Sequence, residues 1–232
     1  MSIRNPISTL LAVSALAAAA SPAIAQDAMM AGDGMMSGDI RTISVTIENL
    51  TSGQGFSPSF FISRAADGDA LFALDATASD PLVSVAEGGN IGGFSSWAAG
   101  ELGASLGDAA LAIHTLPGQT RTLTIHVDAA YPVVDGVWML GMTNDGFSGI
   151  SGVNAYELTE PVTIEVRGYD AGSEINNEKK GFLGALGEGN QRDPENGVIT
   201  YHTGIRADAD APAEWQFDPN TPVARVTLSP AH

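Results

Sequence analysis

The chain has 232 residues, contains no cysteine, and carries 10 Lys and Arg against 27 Asp and Glu, which gives a formal charge of −17. The lack of cysteine excludes disulfide bonds, thiolate metal sites and a cysteine nucleophile. The strong negative charge argues against binding to nucleic acids or anionic lipids, because their phosphates would be repelled. It is compatible with solubility outside the cell and with cation binding.

The first 25 residues have the pattern of a secretory signal peptide. Arg4 precedes an apolar or small run from Ile7 to Ala20, and Ala23-Ile24-Ala25 has the small-x-small pattern of a cleavage site. The apolar run is too short for a typical membrane span, and no later segment approaches one. We therefore expect cleavage near Ala25 and an exported protein, periplasmic or secreted, with no membrane insertion.

Residues 26–39 form a low-complexity segment with two methionine pairs among Gly, Asp and Ala. This composition predicts a flexible leader ahead of the folded domain. Because thioethers suit soft copper ions, the pairs Met29-Met30 and Met35-Met36 also allow Cu(I) binding. No histidine accompanies them in this segment, and the leader interpretation is favoured.

From residue 40 onward, short segments of alternating apolar and polar residues predict β-strands. Ile43, Val45 and Ile47 lie on one face of the first segment. The predicted strands are 40–48, 60–63, a short piece at 70–74, 111–114, 121–128, 137–142, 162–167, 198–202 and 222–228. No composition break divides residues 40–232, so we predict one all-β domain, an antiparallel β-sandwich of about eight strands.

One or two short helices are predicted within this domain. Asp80 to Ala86 begins with Asp-Pro, which predicts a helix with Asp80 as its N-cap, and the following Gly88 and Gly89 end it. Residues 94–102 predict a second helix, although several glycines weaken it.

Two acidic segments each follow a predicted strand. Thr143 to Gly149 (TNDGFSG) follows one, and Gly168 to Glu174 (GYDAGSE) follows another and continues into Asn176, Asn177 and Glu178. Glycine and small residues let a backbone turn tightly, so we expect Asp145, Asp170 and Glu174 to meet at one end of a sheet. Clustered carboxylates favour a hard cation. Ordinary Asx turns, in which Asn144 and Asp170 cap their own backbones, remain an alternative.

The usual catalytic signatures are absent from the sequence. There is no GxSxG elbow, HExxH, P-loop or GxGxxG motif in a strand-to-helix context, and the four histidines share no metal-ligand spacing. We therefore predict that the protein is not an enzyme and has no catalytic residues. Two alternatives stay open: a carbohydrate-binding module, which requires exposed aromatic side chains, and a hydrolase that uses the same carboxylates.

The order of several motifs resembles the spondin N-terminal domain in its bacterial, stand-alone form. The motifs are ISVTIENLTSGQGFSP at 43–58, MTNDGFSG at 142–149, YDAGSEINNE at 169–178, YHTGI at 201–205 and PVARVTL at 222–228. In comparison with the animal members F-spondin and mindin, Asp145, Phe147 and Gly149 match, as does Tyr169 to Gly172. Gly146 replaces a tryptophan of the animal motif.

The resemblance implies a β-sandwich that holds Ca²⁺ in loops at one end. The implied ligands are Asp145 and Asp170, followed by Glu174, and Asn144 and Asn176 add further oxygen donors. It also implies a role in adhesion or binding at the cell surface, in the periplasm or in a matrix, with an unidentified extracellular protein or glycan as partner. His202 matches the family pattern, but no chemical role is assigned to it.

Overall fold

The computed structural model describes residues 39–94, 96–97, 105–111, 113–189 and 191–231. The predicted signal peptide and all of the predicted leader except Asp39 lie outside these residues. Most of the second predicted helix, residues 98–102, lies outside them as well.

The described residues form ten strands and one α-helix with assigned bounds. In chain order they are β1 (Arg41–Asn49), β2 (Ser59–Arg64), α1 (Asp80–Gly88), β3 (Ser105–Leu111), β4 (Thr120–Val127), β5 (Val133–Met139), β6 (Gly146–Asn154), β7 (Val162–Val166), β8 (Tyr169–Asp170), β9 (Thr200–Tyr201) and β10 (Ala224–Pro230). Two short 3₁₀ helices lie at Gly184–Leu186 and Ala213–Trp215.

The strands form two antiparallel sheets. One has four strands in the order β4-β1-β10-β7, and the other has six in the order β3-β2-β5-β6-β8-β9. Eight of the ten described strands have five or more residues, and β8 and β9 have two each. The predicted all-β sandwich of about eight strands is therefore confirmed.

The main core lies between the sheets. Ile43, Val45 and Ile47 alternate along β1 and are fully buried, and they belong to one cluster with Phe61 and Trp138 of the six-stranded sheet. The rings of Phe61 and Trp138 stack with centroids 6.3 Å apart. The period-two pattern of β1 thus has its expected cause, one face in the core and one face more exposed.

The other face of the six-stranded sheet is covered too. Leu82, Val85 and Ala86 of α1 are buried in a second cluster with Val137 and Phe147. Every residue of β2 and β5 is buried, because these strands are covered on both faces. This sheet carries the candidate site at the start of β6.

The first predicted helix is present, but its predicted N-cap is wrong. The cap is Ser79, whose hydroxyl accepts a hydrogen bond from the backbone N–H of Leu82 at 3.4 Å, and Asp80 is the first helical residue. Gly89 ends the helix in the left-handed region, with φ of 64°. No helix in the described ranges is long and apolar enough to cross a bilayer.

The largest departure from the predicted strands concerns β6. Residues 146–149 were expected in a loop, whereas the structure places them in a buried strand paired with β5. Gly149 lies so close to Gly136 across the pair that an added Cβ would overlap the Gly136 carbonyl. Glycine is needed for this close approach, and the same glycines made the segment resemble a turn.

Two other predicted strands differ from the structure. The predicted piece at 70–74 is not a strand, and β3 lies before most of the predicted strand at 111–114.

Candidate metal centre

The two acidic segments are neighbours in the six-stranded sheet. β6 begins at Gly146, which pairs with Asp170 of β8. The backbone N–H of Ala171 donates to the carbonyl oxygen of Asp145 at 3.2 Å. The structure therefore brings Asp145 and Asp170 together, as the order of strands and turns suggested.

Asp145 is fully buried, and its two carboxylate oxygens differ. Oδ2 accepts hydrogen bonds from the Ser173 backbone N–H at 2.7 Å, the Ser173 hydroxyl at 3.1 Å and the Glu174 backbone N–H at 3.0 Å. Oδ1 is buried and has no hydrogen-bond partner among the described residues. The pKa of Asp145 is raised to about 7, chiefly by burial and also by the charge of Asp170, against the lowering effect of the three hydrogen bonds.

Asp170 is half-buried and forms the Asx-type turn of the alternative interpretation. Its Oδ1 accepts from the Gly172 backbone N–H at 2.6 Å, and its Oδ2 accepts from the Asn176 side-chain amide. Burial raises the pKa of Asp170, while these hydrogen bonds lower it. Asn176 Oδ1 is buried and has no partner among the described residues, so this oxygen remains available to a cation.

Asn144 holds the loop that follows β8. Its Oδ1 accepts from the backbone N–H groups of Asn177 at 3.2 Å and Glu178 at 2.9 Å. It does not cap its own backbone, and its Nδ2, a donor, lies beside the Glu174 carboxylate. In this arrangement Asn144 positions the loop and presents no unpaired oxygen to a cation.

Glu178 is a member of the site that was not among the predicted ligands. It is fully buried, and neither carboxylate oxygen has a hydrogen-bond partner of ordinary geometry among the described residues. The pKa of Glu178 is raised to about 7, chiefly by burial; the backbone amide and charge of Arg206 lower it, and the charges of Asp145 and Asp170 add to the rise. Its φ of 43° is rare for a residue with a side chain and is often found at functional sites.

The predicted ligand Glu174 lies beside the cluster but is engaged elsewhere. Its backbone N–H binds Asp145, whereas its carboxylate accepts from Arg192 Nε at 3.2 Å. Burial raises the pKa of Glu174, as does nearby Glu87, while Arg192 and the side-chain amide of Asn144 lower it. The carboxylate of Glu174 is therefore already paired with the guanidinium of Arg192.

His202 is buried next to the start of β6. Its Nδ1 accepts from the Gly204 backbone N–H at 3.0 Å, so the proton of the neutral ring lies on Nε2. Burial lowers the pKa of His202 to about 4, which keeps the ring neutral. A Cβ added to Gly146 would lie 3.0 Å from the ring carbon Cδ2, so His202 packs tightly against this turn.

The unpaired oxygens have the chemistry of a hard-cation site. They are Asp145 Oδ1, Asn176 Oδ1 and both carboxylate oxygens of Glu178. Within the described part of the chain, no group of three or more His, Cys, Asp or Glu side chains is placed so that these residues alone could hold a metal ion. A cation here would thus need the Asn176 amide oxygen, backbone carbonyls or water in addition to the carboxylates, which is the mixed set that Ca²⁺ takes.

No family model and no curated protein matches the chain. The resemblance to the spondin N-terminal domain stays a prediction from the motifs.

Proposed function

We propose that this protein is an exported, calcium-binding β-sandwich that acts as a non-enzymatic binding or adhesion module. The observation that supports the proposal is the set of buried, unpaired oxygens of Asp145, Asn176 and Glu178. An ionised carboxylate without a partner is costly to bury, so such groups either keep a proton or bind a cation.

The donor chemistry favours Ca²⁺ over other common cations. All the unpaired acceptors are oxygens, whereas structural zinc sites use mainly thiolate and imidazole ligands. Mg²⁺ demands near-ideal octahedral geometry and keeps most of its water. Ca²⁺ accepts irregular sets of carboxylate, amide and backbone oxygens, which is the mixture that this end of the sheet offers.

A bound Ca²⁺ would link separate parts of the chain. Asp145 lies in the turn before β6, and Asn176 and Glu178 lie in the loop after β8. An ion shared by both would neutralise the carboxylates and fix the loop for recognition of an extracellular partner. The net charge of −17 favours cations at the surface and disfavours nucleic acid.

The aromatic side chains favour a protein partner over a glycan. Trp138 is fully buried, and Trp97 and Trp215 are half-buried in separate segments. Tyr201 is 40% exposed, but its ring stacks on Tyr169 at 5.3 Å and lies 3.9 Å from the Arg167 guanidinium. A ring already engaged by two groups is a poor platform for a sugar.

Thermal unfolding with calcium or EDTA tests the proposal. Ca²⁺ at 100-fold excess over its Kd would stabilise the protein by about 2.7 kcal/mol, or roughly 5–10 °C for a chain of this size. We expect Asp145→Asn and Asp170→Asn to abolish the shift. Asp67→Asn, which removes one charge from an exposed turn, is the matched control and should keep it. No shift in the unchanged protein would contradict the proposal.

A further inference from the structure

A cavity of about 400 Å³ lies between the C-terminal end of α1, the end of β5 and the segments at 55–58 and 114–116. Its lining includes one imidazole and two thioethers, those of His114, Met139 and Met142. No carboxylate lines it among the described residues, so its chemistry differs from that of the metal centre. Imidazole and thioether groups are ligands for soft metal ions.

The backbone pairing places His114 and Met139 on one face, on either side of a small residue. Phe56 forms an antiparallel bridge to each of the two neighbouring segments. The next residue, Ser57, therefore lies between His114 and Met139, and its N–H donates to the Met139 carbonyl at 3.2 Å. Strands spaced about 4.8 Å apart put the two outer Cα atoms roughly 9.6 Å apart. An imidazole and a thioether that face each other across this distance can reach one ion.

The base of the cavity is formed by small residues, which leave the space between the ligands empty. They include Gly55, Ser57 and Gly141. The Ser57 hydroxyl accepts from a backbone N–H of β5 at 2.9 Å and so stays at the base. Gly141 donates to the Gly55 carbonyl at 2.8 Å, and an added Cβ would lie too close to that oxygen. Met142 follows directly, and its N–H is held by Gln54 Oε1 at 3.1 Å.

The C-terminal end of α1 favours a cation in this cavity. Gly88 and Gly89 line the cavity, and the last turn of α1 contains no basic residue to offset the negative end of the helix dipole. The Met139 sulfur lies close to this end, because a Cβ added to Gly89 would be 3.8 Å from it. A positive ion bound to this sulfur would therefore be stabilised by the helix as well.

The candidate ligands are free to bind. His114 is exposed, and within the described residues no hydrogen bond or ion pair engages its imidazole. Met139 is 9% exposed and Met142 is half-buried, so the two sulfurs lie deeper than the imidazole. Thioethers select Cu(I) over hard cations such as Ca²⁺, and imidazole also binds copper. Because the chain has no cysteine, thioethers are the only sulfur ligands that it offers.

We propose that His114, Met139 and Met142 form a Cu(I) site, with one ring nitrogen and two thioether sulfurs as ligands. The site is separate from the proposed calcium site, because none of the unpaired oxygens of the metal centre lines this cavity. The inference therefore goes beyond calcium binding and gives the protein a second, chemically distinct metal.

A competition titration against the Cu(I) chelator bicinchoninate, without oxygen and at saturating calcium, tests the proposal on the purified protein. We expect Met139→Leu, Met142→Leu and His114→Ala each to weaken Cu(I) binding at least ~10-fold, because each removes one ligand. Leucine keeps the volume of methionine and lacks the sulfur, so the fold should tolerate it. His126→Ala, at another exposed histidine, is the matched control and should leave the affinity unchanged. Circular dichroism verifies that each variant is folded.

Nuclear magnetic resonance of the methionine methyl groups separates this cavity from the methionine pairs of the predicted leader. Protein labelled with ¹³C at these methyl groups is titrated with Ag(I), which has the same soft character as Cu(I) and is stable in air. We expect the signals of Met139 and Met142, assigned from their leucine variants, to shift together. Shifts confined to the methionines at 29–36 would assign the ion to the leader and overturn the proposal.

The proposal is also overturned if the unchanged protein does not compete for Cu(I), or if the three cavity variants bind as well as the unchanged protein. An equal loss with His126→Ala and His114→Ala overturns the role of His114. If calcium raises the melting temperature but Cu(I) does not bind, this proposal alone fails. Cu(I) binding without a calcium shift refutes calcium binding alone.

Discussion

Ser173 donates two hydrogen bonds to one oxygen of Asp145, from its backbone N–H at 2.7 Å and from its hydroxyl at 3.1 Å. The Glu174 backbone N–H adds a third at 3.0 Å. These bonds fix the Asp145 carboxylate through Oδ2 and leave Oδ1 unpaired. A ligand whose orientation is fixed before the ion arrives loses little conformational freedom on binding, which favours affinity.

Ser173→Ala should destabilise the protein and weaken calcium binding, because it removes one hydrogen bond to Asp145 and keeps the backbone one. Hydrogen bonds to charged groups contribute about 1.5–3 kcal/mol, and we expect a loss of about 1–2 kcal/mol in the free energy of unfolding by urea. Ser52→Ala is the control, because the Ser52 hydroxyl makes a single exposed bond at 3.3 Å. Equal effects of the two substitutions would contradict the role given to Ser173.

Arg64→Met should be among the most destabilising substitutions in the protein. Arg64 Nε contacts Asp135 Oδ2 at 2.8 Å, and both side chains are buried. Removing the arginine leaves a buried charge unpaired, at a cost of about 3–5 kcal/mol. Arg225→Met is the matched control, because Arg225 pairs with Glu48 and Glu165 at the surface and should cost at most about 1 kcal/mol. Chemical denaturation of both variants measures the difference.

Glu178→Gln should become more stable, relative to the unchanged protein, as pH rises. The ordinary pKa of glutamate is 4.5, and burial raises that of Glu178 to about 7, so the folded state favours the protonated form. This contribution is fully present below 4.5 and is lost as pH rises through 7. In EDTA the difference in unfolding free energy between variant and unchanged protein should grow over this window by up to roughly 3 kcal/mol.

His202 titrates in the opposite sense, because burial lowers its pKa to about 4. It is present in both proteins, so its contribution cancels in the difference. Glu157→Gln, which changes an exposed side chain at the surface, is the control. A flat difference for Glu178→Gln between pH 4.5 and 7 would mean that Glu178 is not a buried, unpaired acid.

Gly149→Ala should disrupt the pairing of β5 with β6. An added Cβ would overlap the backbone carbonyl of Gly136, which cannot move without breaking the sheet. We expect a loss of about 1–3 kcal/mol, the range of overpacked cores. At Gly181 an added Cβ meets nothing within 4 Å, so Gly181→Ala is the control and should be close to neutral. Thermal unfolding distinguishes the two.

The fold was predictable where local patterns match local environments. β1 alternates because one face packs in the core, and α1 carries its Pro and Gly boundary signals. β6 was missed because its glycines interrupt any periodic apolar pattern, and the contact that requires Gly149, with Gly136, is made to a different strand. Strand sequences covered on both faces do not alternate, which also blurred the limits of β5.

The proximity of Asp145 and Asp170 could be predicted from the sequence, because each acid comes directly after a predicted hydrophobic strand. The roles of the other residues depend on the path of the loop after β8. Asn144 binds the backbone N–H of Glu178, 34 residues away, and so buries that carboxylate, while Arg192 draws Glu174 into a separate ion pair. Residue type and spacing do not encode such contacts. The sequence therefore indicated which oxygen donors are present, but not which of them are free to bind a cation.

The most direct test is a calcium titration by calorimetry of the metal-free protein, repeated with Glu178→Gln. We predict binding to one site, with protons released near pH 7 because Asp145 and Glu178 are partly protonated there. Repeating the titration in buffers of different ionisation enthalpy measures that release. Glu178→Gln should remove most of the affinity and lower the proton release. Absence of calcium binding, or binding that Glu178→Gln leaves unchanged, would contradict the account.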